Sequence, residues 1–516
     1  MVRTNLVKKN SYYDSVTLML LSSKLSSIQG VHKAAVMMGT EMNKSLLKDS
    51  GLLEGKGLNA TANDMIIAVT AAGPDVVEAV CSEVEDFLHN KQQSSEEEVE
   101  IVNDLDTALT IMPGANLAAI SVPGQYAKYE AMKALKKGLH VFLFSDNVSL
   151  EEEIELKKYA TENGLLMMGP DCGTAIINNR AIGFANNVKP GNIGIIAAAG
   201  TGLQEVACLI SQNGKGISQA LGTGGRDLKD SVGGAMMLQC LRALDRDPET
   251  EVIVLISKPP SPTVTERIFS LAEKVSKPVV VCFLGQKIKE SKNILPAGNL
   301  EEAAFRAVKI AGGDADMSSL KNLDSASIDN HARAMDGSQR FLRGVFSGGT
   351  LCYEALLIAG QTLGEVYSNV PLDPAFKLLD SYQSNQHTCV DLGEDEFTRG
   401  RPHPMIEPSL RAERILQEAH DPETAVILLD LVLGYGSHLD PAGALVPAVT
   451  EAKKTAEKEG RSLSIVASVC GTDLDPQNRE QQINMLTDAG VLVMPSNASA
   501  ARLACEIVRR KTRGSE

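Results

Sequence analysis

A chain of 516 residues, 43% hydrophobic and 22% charged, has the composition of a folded protein of roughly three domains at ~150 residues each. Disordered, collagen-like and disulfide-scaffold classes are excluded. Lys and Arg number 50 against 65 Asp and Glu, a net charge of −15, so the surface repels phosphodiester backbones and nucleic acid is not an expected partner.

The nine cysteines are scattered singly without a CxxC pair, and Cys208, Cys282 and Cys505 sit inside apolar runs. Buried thiols in a reducing, cytoplasmic setting are expected. No run of 18 apolar residues occurs, so no membrane partner is expected. The Val16–Leu21 segment is too short for a secretory signal.

Residues 1–104 predict a small N-terminal α/β domain: Thr17–Leu25 has helical spacing, Ala34–Met38 and Met65–Thr70 suit strands, and Asp75–Leu88 repeats apolar residues every three or four positions. From 116 onward strands and helices alternate. Strands are predicted at Leu117–Val122, Val141–Phe144, Leu165–Met168, Ile193–Ala197, Val252–Ile256 and Val279–Leu284, with helices such as Tyr126–Lys137 and Glu151–Asn163 between them. Continuous apolar runs indicate strands covered on both faces, hence parallel sheets. The fold class is α/β, with a Rossmann-like domain over 105–190 and flavodoxin-like domains over 191–315 and 341–510. The polar stretches 90–104 and 313–340 read as connections.

An internal duplication links the last two domains. Gly194-Ile-Ile-Ala-Ala-Ala-Gly200-Thr201 is matched by Gly344-Val-Phe-Ser-Gly-Gly349-Thr350, each followed by a Glu four residues after the Thr: Glu205 and Glu354. Further pairs follow in the same order, among them Gly222–Asp227 with Asp391–Asp395 and Leu300–Lys309 with Ala498–Ile507.

Both Gly-Thr turns run from a strand into a helix, leaving free N–H groups at a helix N-terminus, where phosphate or carboxylate binds. Ala199, Gly200 and Thr201, with Gly348, Gly349 and Thr350, are the candidate anion-binding residues. They are expected to face one crevice; the bland alternative is a pair of tight turns with Thr as cap. Cys172 in the loop Gly169–Gly173 has no neighbouring His or Lys and reads as an ordinary loop cysteine.

The densest polar cluster spans 386–408: His387, Asp391, Glu394, Asp395, Glu396, Arg399, Arg401, His403 and Glu407. Arg399 and Arg401 suit a carboxylate or phosphate clamp, with His403, fixed between Pro402 and Pro404, as hydrogen-bond partner. His438 in the glycine loop 434–440 suits a general acid or base, or a satisfied loop histidine. These four are the candidate catalytic residues. No compact metal-ligand spacing occurs, nor a GxxxxGK[ST] P-loop.

These motifs carry a resemblance. Residues 116–312 resemble the α subunit of succinyl-CoA synthetase through Val122-Pro123, Gly-Pro-Asp-Cys (169–172), the 191–201 strand and turn, Gly-Thr-Gly-Gly-Arg-Asp (222–227) and Ser-Lys-Pro-Val-Val-Val (276–281). Residues 342–508 resemble the ligase domain of the β subunit. The whole chain, with Met38-Gly39-Thr40, Phe144–Val148 and Gly400–Ile406, is similar to the FdrA family, its YahF-like branch in particular.

The resemblance implies a CoA-binding-like Rossmann domain at 105–190 and ligase-type domains after it. It also implies that Pro123, Asn147, Asp171, Gly224, Gly225 and Arg226 line a ligand. CoA, carbamoyl phosphate and phosphate are the candidate ligands, with small anionic substrates, separate partner subunits and a homo- or hetero-oligomer expected. Succinyl-CoA synthetase carries phosphate on a His after the Ser-Lys-Pro strand, whereas residues 284–299 here hold none. The expected function is an acyl-phosphate-handling subunit, best matched to an oxamate-type carbamoyltransferase in purine and amide nitrogen catabolism. The alternatives are a succinate–CoA-ligase-like acyl-CoA synthetase acting with a partner chain, and a non-catalytic scaffold or regulatory ligand-binding subunit.

Overall fold

A computed structural model describes the chain except residues 12, 14, 27, 94–101, 103, 316–324, 400 and 514–516. Most of the polar stretch 90–104 and residues 316–324 of the stretch 313–340 lie outside the described residues; the rest of the second stretch is not a plain connection, since it holds the helix Ser325–Ala334 with Ile328 and Ala332 buried. The chain divides into two compact units: residues 1–108 with 395–403, and residues 109–394 with 404–516.

In the first unit the strand Met65–Ala71 is central and runs antiparallel to both Val2–Lys8 and Val31–Met38. Its MIIAVTA run is buried at six of seven positions, so both faces must be covered. Leu18, Leu21 and Leu25 of the helix Ser15–Ser26 and Val80, Val84 and Leu88 of the helix Pro74–Gln93 pack on one face. Leu47 and Leu52 pack with Ile66 and Ala68 on the other. The 395–403 segment adds the short helix Asp395–Thr398, with Phe397 buried.

The second unit holds three sheets. The first is a parallel three-stranded sheet in chain order: Leu117–Ile120, His140–Leu143, Met167–Met168. The next has a five-stranded parallel core, with Pro190–Ala197 between Ile217–Gly222 and Val252–Ser257, followed outward by Val279–Phe283 and Ile294–Pro296. The last repeats that order with Phe341–Phe346 between Thr388–Asp391 and Thr424–Val432, then Ser464–Cys470 and Leu492–Met494. In each the strand order is 2-1-3-4-5, the flavodoxin-like arrangement whose C-terminal strand edge hosts ligands. The duplication read from sequence is thus a duplication of topology.

One departure is a hairpin. Thr174–Ile177 and Arg180–Gly183 pair antiparallel and extend the seven-stranded sheet beside Ile217–Gly222. Asn178 and Asn179, both at positive φ (47° and 62°), make the two-residue turn that matches strand twist. The sheet is therefore mixed rather than wholly parallel. No helix among the described residues is long and apolar enough to cross a membrane.

Candidate functional site

The strand Phe341–Phe346 ends at Ser347-Gly348 and opens into the helix Gly349–Leu363. Beside it the nine-residue strand Thr424–Val432 is wholly buried, yet carries Asp430. That carboxylate closes the turn from within. Its Oδ1 accepts from the Ser347 N–H (2.8 Å), its Oδ2 from the Gly348 N–H (2.7 Å), and Arg411 Nη2 pairs with Oδ1 at 2.9 Å. A buried carboxylate is tolerated here because two backbone donors, a helix N-terminus and a guanidinium surround it.

Among the described residues the first turn has no such occupant. Ala199 precedes the helix Gly200–Gln212 without any side-chain cap, and Gly200 is exposed. A Cβ on Gly200 would meet only Thr174 Oγ1, at 3.5 Å. The two turns lie in contact: the Thr350 N–H donates to Thr201 Oγ1 at 3.3 Å. Gly202 permits that approach, since a Cβ there would lie 2.9 Å from Thr350 Cγ2. The pair thus differs from two equivalent cradles: one end is open, and the other is filled by the protein's own carboxylate.

The Glu that follows each Thr fixes this arrangement across the two halves. Glu205 Oε1 accepts from the N–H of Asn497, which begins the helix Asn497–Arg513, at 2.9 Å. Glu354 Oε1 accepts from the N–H of Leu300, which begins the helix Leu300–Ile310, at 2.8 Å, and its Oε2 from Asn497 Nδ2. Each half thereby caps a helix of the other. Burial raises both carboxyls, Glu354 to about 7.

Three more charged groups complete the region. Asp391, 2% exposed at the end of Thr388–Asp391, puts Oδ2 2.6 Å from where a Cβ on Gly349 would lie. Burial first, and Glu394 second, push its carboxyl up to about 7. Lys258, just beyond the strand Val252–Ser257, lies over the Tyr353 ring at 5.3 Å.

The resemblance-derived lining residues cluster in the same unit at the C-terminal edge of the three-stranded sheet. A Cβ on Gly124 would sit 2.4 Å from Asp146 O and 2.5 Å from Asn147 O, and one on Gly224 2.5 Å from Pro170 O. Pro123, Asn147, Asp171 and Gly225 are exposed there. Ser145 Oγ, in a residue only 5% exposed, finds no partner among the described residues.

Arg226 is spoken for. Its Nε pairs with Glu153 at 2.8 Å and its Nη2 donates to Val148 O. Behind it Lys157 Nζ joins Glu153, Asp227 and Thr223 O at 2.8–2.9 Å, and Asp227 accepts from the N–H groups of Met236 and Met237. The Gly-Thr-Gly-Gly-Arg-Asp run ends in a buried ion-pair knot, so its Arg and Asp serve the fold.

Arg399, Arg401 and His403 belong to the first unit, Arg399 and Arg401 being exposed. His438 belongs to the second, where the Asp440 N–H donates to its Nδ1 at 3.0 Å, leaving Nε2 to bear the proton of the neutral ring. His387 accepts from the Leu342 N–H through Nδ1, and burial beside Arg343 lowers it to about 4. It is a neutral structural histidine. Burial pushes the Cys172 thiol up to about 12, which agrees with an inert cysteine.

Family models match three segments: a CoA-ligase model residues 345–507, a CoA binding domain model residues 188–285, and an "AllF, heavy metal-associated domain" model residues 1–102. Uncharacterized protein YahF of Escherichia coli K12 is 45% identical over 97% of this chain and 98% of its own length. The chain belongs to the YahF family. This FdrA-like group lies within the succinyl-CoA synthetase-like superfamily.

The succinate–CoA ligase [ADP-forming] α subunit of Staphylococcus epidermidis is 26% identical over 36% of this YahF-family chain, which spans 61% of that subunit. A solved dinucleotide forming acetyl-coenzyme A synthetase 1 of Ca. Korarchaeum cryptofilum overlays 78% of this chain and 84% of its own, with 16% identity and a TM-score of 0.29. That likeness is too loose to match site residues.

The described residues of 1–102 do not fit a heavy-metal site. They hold one cysteine, Cys81, and among the described residues no three His, Cys, Asp or Glu converge. Thiolate-rich donor sets are what soft metals require.

Proposed function

We propose that this chain is an acyl-CoA-ligase-type subunit that binds the phosphoryl end of an acyl phosphate at the open turn Ala199–Thr201. The observation that carries the reading is the asymmetry of the paired turns. The Gly348 end is neutralised by Asp430, which leaves the Gly200 end of the facing helix with unspent N–H groups and a dipole. Family membership in a CoA-ligase-like superfamily supports the class of chemistry.

In such a site the CoA sulfur bonds to the acyl carbon as its S–H bond breaks, the bond from the acyl carbon to the phosphate oxygen breaks, and phosphate leaves with that electron pair and takes up the thiol's proton. The N–H groups of Gly200 and Thr201 would hold the phosphate as charge develops on it. The loops around Pro123, Asn147, Asp171 and Gly225 are proposed to hold the CoA. His438 is proposed as a candidate proton carrier in the second unit; Arg399, Arg401 and His403 are proposed, within the first unit alone, as a clamp for an anionic group, and the chain is proposed to act in an assembly with partner chains.

Residues 284–299 contain no His, which favours an acyl phosphate arriving ready-made over a phosphohistidine formed in this chain. Phosphopeptide mapping after incubation with ATP is expected to find no phosphate there; acid-labile phosphate on His403 or His438 would mean a relocated relay. Carbamoyl phosphate would fit the same cradle. The matched families and relatives name CoA ligation rather than carbamoyl transfer, so thioester formation is the primary reading.

Gly200→Pro tests the cradle. Proline is suited to the first position of a helix and follows the extended Ala199 (φ −155°, ψ 106°) without strain, but it deletes one N–H. Losing a hydrogen bond to a charged ligand costs ~1.5–3 kcal/mol, about ten- to a hundred-fold in affinity. Phosphate and acetyl phosphate binding by calorimetry should fall by that factor, while Gly200→Ala, which keeps the N–H, should bind as the wild type does. Equal binding by all three proteins would refute the site.

A further inference from the structure

The seven-stranded sheet carries a groove of about 560 Å³ at the end opposite the open turn. It lies where the strands Ile217–Gly222, Pro190–Ala197 and Val252–Ser257 begin, side by side in that order, and the hairpin turn Asn178-Asn179 closes one flank. The helix Gly200–Gln212 runs from the open turn to the loop Gly214–Gly216 in the groove wall. Its 13 residues, at ~1.5 Å each, put the two places about 20 Å apart.

Apart from Pro190 and Pro248 no lining residue has an apolar side chain, so the groove offers little surface to a hydrocarbon. Its charges are two of each sign. Lys215 and Lys189 stand just before the first two strands, Glu249 and Glu251 just before the third. Among the described residues none of the four enters an ion pair. The cations lie on one side of the groove and the carboxylates on the other, with a strand spacing of ~5 Å between neighbouring strand starts. An anion alone would meet the two glutamates, and a cation alone the two lysines.

We propose that this groove binds a small zwitterion, a free amino acid or dipeptide, with its carboxylate toward Lys189 and Lys215 and its ammonium toward Glu249 and Glu251.

The neighbouring polar groups are set for that orientation. Asn192 Nδ2 donates to Glu251 Oε2 at 2.5 Å, which fixes the carboxylate and leaves Oε1 for a ligand ammonium. Ser218, 5% exposed on the groove floor, is bonded to Thr250 Oγ1 at 2.7 Å, and Thr250 Oγ1 donates to Asp247 Oδ2 at 2.7 Å. Thr250 has one hydroxyl proton and Asp247 takes it, so Ser218 is the donor to Thr250 and its own oxygen faces the groove as an acceptor. The flank is braced by a two-way bond: the Asn178 N–H donates to Gln219 Oε1 at 2.9 Å, and Gln219 Nε2 to Asn178 Oδ1 at 2.8 Å.

The probes are the proteinogenic amino acids and their glycyl dipeptides, tested on the intact protein by saturation-transfer NMR and then by calorimetry. Some should bind. The N-acetyl form of each binder keeps only the carboxylate and the amide form only the ammonium, and each should bind about ten- to a hundred-fold more weakly, as expected for losing one charge-assisted hydrogen bond. Glu251→Gln should weaken the parent compound and abolish its advantage over the N-acetyl form. Lys189→Gln combined with Lys215→Gln should abolish its advantage over the amide form. This crossed pattern is one that a merely structural role for these residues would not give.

No binding by any probe at millimolar concentration would overturn the proposal, as would N-acetyl and amide forms that bind as well as the parent. Charge variants that weaken all three forms equally would also overturn it, because the groove would not be reading the ligand's charges. The site stands apart from the anion cradle, so Gly200→Pro should leave zwitterion binding unchanged.

Discussion

Replacing Lys157 by Met should cost the second unit about 3–5 kcal/mol, the scale of breaking one partner out of a buried ion pair. Lys157 is 1% exposed and its ammonium holds Glu153 and Asp227, themselves 0% exposed, at 2.8 and 2.9 Å. Arg226 still reaches Glu153 and the Met236 and Met237 N–H groups still reach Asp227. Neither contact replaces the cation between the two carboxylates.

Urea denaturation at pH 7 should therefore show a sharply lowered midpoint with an unchanged slope. The triple variant Lys157→Met, Glu153→Leu, Asp227→Asn should recover much of the loss, because no uncompensated charge remains. A loss below about 1 kcal/mol for the single variant would mean that water replaces the ammonium, and the knot would have no structural weight.

That knot also measures how far the sequence could be read. Glu153, Leu156, Lys157 and Ala160 form the inward stripe of the helix Leu150–Glu162. The i, i+3, i+4, i+7 spacing was available, and a Glu–Lys pair inside an apolar stripe is the signal of a buried pair. Its second carboxylate, Asp227, lies 70 residues away, and no local pattern announces that contact. In the same run the resemblance implied that Gly224, Gly225 and Arg226 line a ligand; Arg226 pairs with Glu153 and the Val148 carbonyl, and Asp227 with Lys157.

The parallel core of the flavodoxin-like sheets was legible for the opposite reason. Val252–Ser257 and Val279–Phe283 are buried at every position, so their continuous apolar runs state their own environment. The hairpin at 174–183 was not legible as an antiparallel addition, since Asn178-Asn179 departs from the Asn-Gly pattern that marks such turns. Within the site, the Thr-to-Glu spacing was visible in both halves but its purpose was not: Glu205 and Glu354 each reach a helix start that lies in the other half. Asp430 was hidden for a similar reason, being a single acid in an apolar strand whose partners are backbone N–H groups of a distant turn.

Asp430 is also where the site's asymmetry can be reversed. In Asp430→Ala the Ser347 and Gly348 N–H groups lose their acceptor, and Arg411, 2% exposed, keeps only the carbonyls of Val345 and Asp430 as partners. An uncompensated buried guanidinium should cost about 3–5 kcal/mol. The vacated cradle has the helix N-terminus, the two N–H groups and the guanidinium that the lost carboxylate used, so an external anion should enter it. An anion at 100 times its Kd stabilises by about 2.7 kcal/mol. Thermal melts of Asp430→Ala in millimolar sulfate should therefore rise by several degrees more than those of the wild type, and calorimetry should count one additional sulfate. Asp430→Asn, which still fills the space, should gain no such site. If sulfate raised wild type and Asp430→Ala equally, the N–H groups at Gly348 would not be an anion cradle, and the asymmetry between the two turns would not explain why the Gly200 end stands open.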